Sequence, residues 1–300
     1  MGNINVCLSC DENYAKHAAV VMASVLKNAT TNDDIVFHIL DGGIAFETKE
    51  KIRQLSKIKD CGINFIKISD ELFNDYKNVK THSYITLPTF YRLKLPSLLP
   101  DVSKIVYFDC DFVICTSLKE LYETDIHNNL IAGVLDANRH KVKANPTYIN
   151  AGMILFDLEK MRKENIEDKF LNWTIQNLDK IELGDQEIIN EVLKGKIEIV
   201  DSRWNVQSSD FINRSSYTRN PRAIHLIAKP WEFARGCYHK KEYFKYLQLT
   251  EWKLNKNEYK YWTSYNQFMS IIKYIQNRPF FWVRYKFYRA FYCTYLKRQN

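Results

Sequence analysis

The sequence predicts an α/β protein built on a mostly parallel, doubly wound sheet. Short apolar runs alternate with amphipathic segments up to about residue 200, and this alternation is typical of parallel sheets covered by helices. Most of the apolar runs lack a polar face, as expected for strands buried on both sides. With 300 residues, 46% of them hydrophobic, the chain can form one large domain with a substantial core.

The predicted elements follow one another in a regular order. Strands are expected at 4–9, 35–40, 63–68, 104–108, 130–135, 150–157 and 196–200. Helices are expected at 14–27, 47–59, 88–99, 165–178 and 185–194. Pro88 suits the first turn of a helix, and Gly195 suits a helix end. A further short strand is expected to end at His225.

The composition changes near residues 232–240. Beyond them Tyr, Phe, Trp, Lys and Arg dominate, and no Asp or Glu follows Glu258. We therefore predict a sheet domain over residues 1–235 and a basic, aromatic, helical tail over 236–300. Residues 268–300 interleave aromatic residues with seven Lys or Arg, which favours a helix lying on an anionic membrane surface. There are two alternatives. The tail helix could pack on the sheet domain, or its aromatic residues could stack on the bases of single-stranded nucleic acid.

The charge and the cysteine content of the chain indicate its binding partners and its cellular compartment. The formal net charge of +8 suggests anionic partners, but nothing before the tail predicts a nucleic-acid module. The seven cysteines show no disulfide or zinc spacing. Cys7 and Cys10 lie in a predicted strand, whose period of two directs their side chains to opposite faces. No signal peptide is evident, and no apolar run reaches the roughly 18 residues of a membrane span. We expect a reduced, cytoplasmic protein.

Two carboxylates directly follow the strand at 104–108. Asp109 and Asp111 flank Cys110, and ligands of α/β sheets bind beyond the carboxyl ends of the strands. Both carboxylates could hold one hard cation, such as Mg²⁺ or Mn²⁺, that also binds phosphate oxygens. A polar turn is the simpler interpretation. The pattern also fits haloacid-dehalogenase-type phosphatases, with Asp109 as the nucleophile, although there the motif normally ends the first strand of the fold.

Other polar segments stand at element ends. Asp11-Glu12-Asn13 opens the first helix, where it could bind an anion, a base or a ribose, or simply cap the helix. The predicted strand at 150–157 begins with Asn150-Ala151-Gly152, an amide followed by two small residues that let a ligand approach closely. The predicted helix at 185–194 begins with Asp185-Gln186-Glu187, which places a carboxylate and an amide on its first turn. His225 could be a third metal ligand, and Lys229 could be a phosphate partner.

Taken together, these segments resemble the family-8 retaining glycosyltransferases, which include bacterial lipooligosaccharide galactosyl- and glucosyltransferases and are related to glycogenin. The matching segments run in the family's order over about 4–235, namely 11–14, 90–95, 107–111, 150–152, 185–187, 225 and 229–231. The resemblance implies a GT-A fold with a single Rossmann-like nucleotide-binding sheet domain. It also implies Mn²⁺ (or Mg²⁺) as cofactor, a UDP-hexose donor, and a lipopolysaccharide or similar glycan as acceptor.

The resemblance further implies roles for individual residues. Asp109, Asp111 and His225 would ligate Mn²⁺. The donor would be bound by Ser9, Cys10, Asp11, Asn13, Tyr14, Arg92, Asp109, Cys110, Asn150, Ala151, Gly152 and Lys229. The catalytic group would comprise Asp136, Asp185 and Gln186. Because Gln186 is an amide and a poor nucleophile, we expect front-face attack by the acceptor, with retained configuration, instead of a covalent intermediate.

Three points complete the prediction. The stretch from His225 to Lys229 is shorter than in the family and has no glycine. The shortening affects how far Lys229 can extend towards the diphosphate. It affects His225 less, because His225 lies at the end of the strand before this stretch. The tail predicts peripheral attachment to the inner face of the cytoplasmic membrane. A catalytically inactive module that binds nucleotide sugars is the remaining alternative to a transferase.

Overall fold

The computed structural model describes residues 2–76, 79, 87–137, 139–207, 220–232 and 239–265. Its main strands are β1 Ile4–Cys10, β2 Ile35–Asp41, β3 Gly62–Lys67, β4 Lys104–Phe108, β6 Ile131–Leu135, β7 Ile149–Asp157 and β8 Ile197–Ile199. They form a seven-stranded sheet in the order β3-β2-β1-β4-β7-β6-β8. The strand positions predicted from the apolar runs are confirmed to within one or two residues.

One strand of this sheet runs against the other six. The neighbours β3, β2, β1 and β4 are parallel, as predicted. β7, however, runs antiparallel to both β4 and β6, while β6 pairs parallel with β8. The prediction of a mostly parallel sheet is therefore confirmed, and β7 is the one reversed strand among these seven. The residues of β7 are buried almost throughout, and an apolar run that is buried on both faces carries no signal of direction.

A small second sheet begins shortly after the end of β4, the middle strand of the main sheet. It consists of β5 Phe112–Ile114, β9 Val206–Gln207 and β10 Ala223–His225, in the order β5-β10-β9. β10 is antiparallel to β5, with His225 opposite Phe112. Because β5 begins three residues after Asp109, the segment Asp109-Cys110-Asp111 connects the two sheets.

The helices cover the sheet on both sides. They are α1 Glu12–Asn28, α2 Phe46–Arg53, α3 Leu95–Leu98, α4 Lys119–Tyr122, α5 Arg139–Ala144, α6 Leu158–Lys163, α7 Ile166–Gln176, α8 Asp185–Val192, α9 Lys240–Leu247 and α10 Lys256–Lys260. Short 3-10 helices lie at Gln54–Lys57, Asp70–Tyr76, Leu87–Lys94, Ser202–Asn205 and Pro230–Glu232, and a π turn lies at Tyr261–Tyr265.

The continuous helix predicted over 88–99 is wrong. A 3-10 helix over Leu87–Lys94 leads instead into the short α3. Pro96 explains the break, because it has no N–H to donate to the carbonyl of Arg92 and its ring would collide with that carbonyl. The predicted helix over 47–59 likewise ends early, at Arg53, and continues as 3-10 turns.

The core forms two apolar clusters, one on each face of the main sheet. Cys10 lies in one cluster with Val6 and Leu8, whereas Cys7 lies in the other with Tyr107. The opposite-face prediction for the two cysteines is thereby confirmed. Both thiols are fully or almost fully buried, and burial raises the pKa of Cys7 well above its ordinary value.

The described part of the chain beyond residue 236 packs on the sheet domain. In α9 the aromatic residues Tyr243, Phe244 and Tyr246 are buried in the same cluster as α1. The Tyr243 hydroxyl lies 2.7 Å from His17 Nδ1, and the Tyr246 hydroxyl accepts from Asn28 at 2.8 Å. The division at residue 235 stays a prediction, and the predicted membrane segment 268–300 lies outside the described residues. Within the described ranges, no helix has the length and apolarity needed to cross a membrane.

Candidate active site

The three predicted metal ligands meet where the two sheets join. One ligand atom from each of Asp109, Asp111 and His225 lies within 4.8 Å of the others. Asp109 follows the end of β4, where its N–H donates to the Gly152 carbonyl at 2.8 Å. Leu226 N–H donates to the Asp111 carbonyl at 2.7 Å, so the backbone pairing between β5 and β10 carries His225 to the carboxylates.

The ring of His225 is held on three sides. It stacks on Phe112 with ring centroids 4.3 Å apart. On the other side lies Gly152, where a Cβ would approach His225 Cε1 to 2.5 Å, so only glycine fits. The Nδ1 atom lies 3.1 Å from Asn205 Oδ1, and Nε2 lies 3.3 Å from Asp111 Oδ1. The imidazole therefore presents Nε2 to the carboxylate cluster.

The donor set of this cluster fits a divalent cation. Asp111 is buried, and burial alone would raise its pKa, but His225 and Lys229 hold the pKa of this carboxyl well below its ordinary value. Its Oδ2 accepts from Lys229 Nζ, whereas no hydrogen bond within the described residues reaches Oδ1. A buried carboxylate oxygen and an imidazole nitrogen facing each other at 3.3 Å form a gap that a cation would fill.

The buried guanidinium of Arg92 holds the Asp109 side of the cluster in place. Arg92 donates to Asp109 Oδ1 at 2.6 Å and to the Ala151 carbonyl at 2.6 Å. Its Nε lies 3.0 Å from Asp185 Oδ2, and its guanidinium stacks on Tyr107 at 4.0 Å. Although burial opposes its charge, Asp109 and Asp185 raise the pKa of Arg92 further above its ordinary value. Arg92 is thus a buried cation, with 3% of its surface exposed.

Asp185 is buried against Arg92, with 4% of its surface exposed. Burial raises its pKa to about 7 despite the opposing effect of Arg92, and the nearby charge of Asp109 adds to the rise. Gly184, which precedes it, has a φ of 62°, a left-handed conformation that favours glycine. The turn sets Asp185 beneath the site, where its contact is with Arg92.

Three polar side chains form a compact network beside the cluster. Asn150 Nδ2 donates to Asp136 Oδ2 at 3.2 Å and to Gln186 Oε1 at 3.1 Å. Gln186 Nε2 also donates to Asp136 Oδ2 at 3.2 Å, and Gln186 Oε1 accepts from Ala151 N–H at 3.1 Å. The structure thus brings together the predicted catalytic pair Asp136 and Gln186 and the predicted donor ligand Asn150.

The start of α1 combines helix capping with proximity to the cluster. Asp11 Oδ1 accepts from Tyr14 N–H at 3.0 Å, so the capping interpretation holds, and Asn13 Nδ2 donates to Asp11 Oδ2 at 3.3 Å. Tyr14 is 38% exposed, and burial of part of its ring raises the pKa of its hydroxyl, with Lys229 and Asp111 among the charges around it. Tyr14 therefore lies near Lys229 and Asp111, and Asp11 and Asn13 stand beside it at the start of the same helix.

Other predicted site residues serve the framework through their side chains. Ser9 Oγ donates to the Pro88 carbonyl at 2.6 Å, and Cys10 is almost fully buried. Cys110 Sγ points inward and donates to the Ser9 carbonyl at 3.3 Å. Lys229, predicted as a phosphate partner, forms an ion pair with Asp111. The shortened stretch after His225 therefore keeps the Lys229 ammonium beside the cluster.

One functional residue, Asn205, was missed by the sequence reasoning. It is 5% exposed and touches both His225 and Asn150. It follows Trp204 in a 3-10 turn, and no motif or spacing marks it. Only the pairing of β9 with β10 brings this turn to the cluster.

The fold defines the class of protein. The structure is similar to the crystal structure of a galactosyltransferase, LgtC, in complex with donor and acceptor sugar analogs, with a TM-score of 0.71 and 24% sequence identity. The similarity covers 85% of this chain and 98% of that one. The chain therefore has the GT-A fold, as predicted.

The family follows from the sequence comparisons. The model of glycosyl transferase family 8 matches residues 5–234, and the chain belongs to this family. It is 28% identical to general stress protein A of Bacillus subtilis, over 82% of this chain and 93% of that protein. It is 26% identical to the lipopolysaccharide 1,3-galactosyltransferase of Salmonella typhimurium, over 80% and 76%. Membership implies transfer from a nucleotide-sugar donor to a glycan acceptor, and the phosphatase alternative is not favoured.

Proposed function

We propose that this protein transfers a hexose, galactose or glucose, from a UDP-sugar to a lipopolysaccharide or similar glycan, with Mn²⁺ as cofactor and with retention of configuration. The observation that carries the proposal is the cluster of half-buried Asp109 with buried Asp111 and His225, whose facing acceptor atoms suit a cation. Mg²⁺ is the second candidate ion. The similarity to a lipopolysaccharide galactosyltransferase supports the choice of acceptor.

In this proposal the cation is held by Asp109, Asp111 and His225, and when bound it supplies Lewis-acid stabilisation of the departing diphosphate. Lys229 adds a second positive charge beside Asp111, where it can pair with a phosphate oxygen. Arg92 orients Asp109, because its guanidinium occupies one carboxylate oxygen and leaves the other for the cation. Asp11, Asn13 and Tyr14 line the side where uridine would bind.

Retention is proposed to proceed by attack of the acceptor hydroxyl on the same face from which UDP leaves, with the departing phosphate accepting the hydroxyl proton. Gln186 supports this route because its amide oxygen accepts from Asn150 and Ala151 and its nitrogen donates to Asp136. An amide held in this way positions the donor sugar but cannot act as a strong nucleophile. Asp185 lies beneath Arg92 and acts as its positioning partner. Trapping of a sugar covalently bound to the protein would contradict the same-face route.

The first prediction concerns cofactor and donor together. UDP is expected to raise the melting temperature only when Mn²⁺ is present, because the cation held by Asp109, Asp111 and His225 would supply the positive charge that attracts the diphosphate. Release of UDP from UDP-galactose or UDP-glucose, followed by a coupled assay, identifies the sugar. Stabilisation without turnover of any UDP-hexose would favour the inactive binding module instead, and hydrolysis of a simple phosphate ester would favour a phosphatase.

We further propose that the basic tail attaches the protein to the inner face of the cytoplasmic membrane. The seven Lys or Arg of residues 268–300 would each contribute about 1 kcal/mol near an anionic surface. Replacing these seven residues by Gln in the full chain is expected to release the protein from vesicles containing anionic lipid, while release of UDP from the soluble donor continues. Equal sedimentation of both proteins with those vesicles, at matched ionic strength, would contradict the attachment.

A further inference from the structure

We propose that Asn205 is a positioning residue that connects the amide network of the donor side to the cation cluster and fixes which nitrogen of His225 carries hydrogen. The inference rests on the cation-dependent function proposed above. It concerns a chain of four side chains, Asp136, Asn150, Asn205 and His225, each within 3.2 Å of the next.

The donor and the acceptor in the first hydrogen bonds of this chain are fixed, because these bonds involve one group that can only accept and one that can only donate. The Asp136 carboxylate can only accept, so the side chain of Asn150 that reaches it at 3.2 Å must present its NH₂ group. The backbone N–H of Gly152 can only donate, and it reaches Asn150 Oδ1 at 3.2 Å. Both contacts demand the same orientation of the Asn150 amide, so its oxygen points towards Asn205.

The orientation of Asn205 follows from that of Asn150. Because Asn150 offers an oxygen, Asn205 must donate through Nδ2, at 2.8 Å. The amide oxygen of Asn205 then faces His225 Nδ1 at 3.1 Å. An amide oxygen only accepts, so Nδ1 must carry hydrogen. In the neutral imidazole the lone pair is then on Nε2, the atom that faces Asp111 Oδ1 at 3.3 Å.

The arrangement keeps His225 ready to bind a cation. An imidazole that held its hydrogen on Nε2 would have no lone pair at the cluster. Asn150, Asn205 and His225 are all at most 9% exposed, so water competes poorly for these hydrogen bonds. Partners that orient a metal-bound histidine in this way typically change metal affinity by 10- to 100-fold when they are removed.

The experiment compares Asn205→Leu with Asn205→Asp. Leucine removes both hydrogen bonds, and the Mn²⁺ affinity, measured by calorimetry without UDP-sugar, is expected to fall about 10- to 100-fold. Aspartate keeps an acceptor for Nδ1 but cannot donate to Asn150 Oδ1, so it is expected to restore part of that affinity. Asn28→Leu is the matched control: it removes three hydrogen bonds of Asn28 distant from the cluster and should leave Mn²⁺ affinity unchanged.

A second measurement reports the hydrogen directly. In protein labelled with ¹⁵N-histidine, His225, assigned through a His225→Gln variant, is expected to show a hydrogen on Nδ1 both without metal and with diamagnetic Mg²⁺. Asn205→Leu should lose it. A bare Nδ1 in the wild-type protein, or Mn²⁺ affinity equal in Asn205→Leu and the wild type, would overturn the inference. Neither readout depends on sugar transfer, so a failure of the proposed donor leaves this test intact.

Discussion

Replacing Asp111 with Asn is expected to abolish measurable Mn²⁺ binding and to lower sugar transfer by about 10³-fold. The carboxylate is the most enclosed ligand of the cluster, with 5% of its surface exposed, and its Oδ1 receives no hydrogen bond within the described residues. The substitution removes the charge that balances the cation, and the amide can place its NH₂ group where the cation would bind. Calorimetric titration with Mn²⁺, followed by release of UDP from the donor, measures both effects.

Asp41→Asn is the matched control for this prediction. Asp41 ends β2 on the same edge of the sheet, is 2% exposed and pairs with Lys49 at 2.5 Å, much as Asp111 pairs with Lys229. It also accepts from the N–H groups of Gly43 and Ile44, so its loss should cost stability but not cation affinity. Unchanged Mn²⁺ binding in folded Asp111→Asn protein would refute the assignment of this ligand.

The position of the cluster could be predicted because its ligand residues directly follow or end predicted strands. Asp109 and Asp111 follow an apolar strand, and the late short strand ending in His225 could be recognised from its own apolar residues. What could not be predicted is how the distant segments meet. β5 and β10 have three residues each, too few to reveal a pairing partner, yet their pairing sets His225 opposite Phe112.

The interrupted helix at Pro96 and the reversed strand β7 depart from the regular order of elements for different physical reasons. The break at Pro96 was present in the sequence, since a proline inside a predicted helix interrupts it at the preceding turn. The antiparallel direction of β7 was not, because it depends on the path of the chain through residues 136–148 and not on the composition of the strand. Asn205 was equally hidden, because its role arises from two side chains, 55 and 20 positions away in the sequence.

The second large effect is expected from Arg92. Arg92→Ala should lower the free energy of unfolding by about 3–5 kcal/mol, the usual cost of leaving a buried charge without its partner. Here the carboxylates of Asp109 and Asp185 both lose the guanidinium that contacts them. Arg162→Ala is the control: Arg162 donates to three backbone carbonyls, those of Pro96, Leu99 and Val102, and contacts neither carboxylate.

The pH dependence separates the loss of this charge pair from a general loss of packing. Burial raises the pKa of Asp185 to about 7 even with Arg92 present, so removing Arg92 must raise it further. A carboxyl whose pKa is higher in the folded state binds its proton more tightly there, and this stabilises the fold at low pH and is lost as pH rises through the folded pKa. The deficit of Arg92→Ala in urea unfolding should therefore grow from pH 5 to pH 8, whereas that of Arg162→Ala should stay constant. Parallel pH profiles for the two variants would mean that the Arg92–Asp185 pair does not carry the effect.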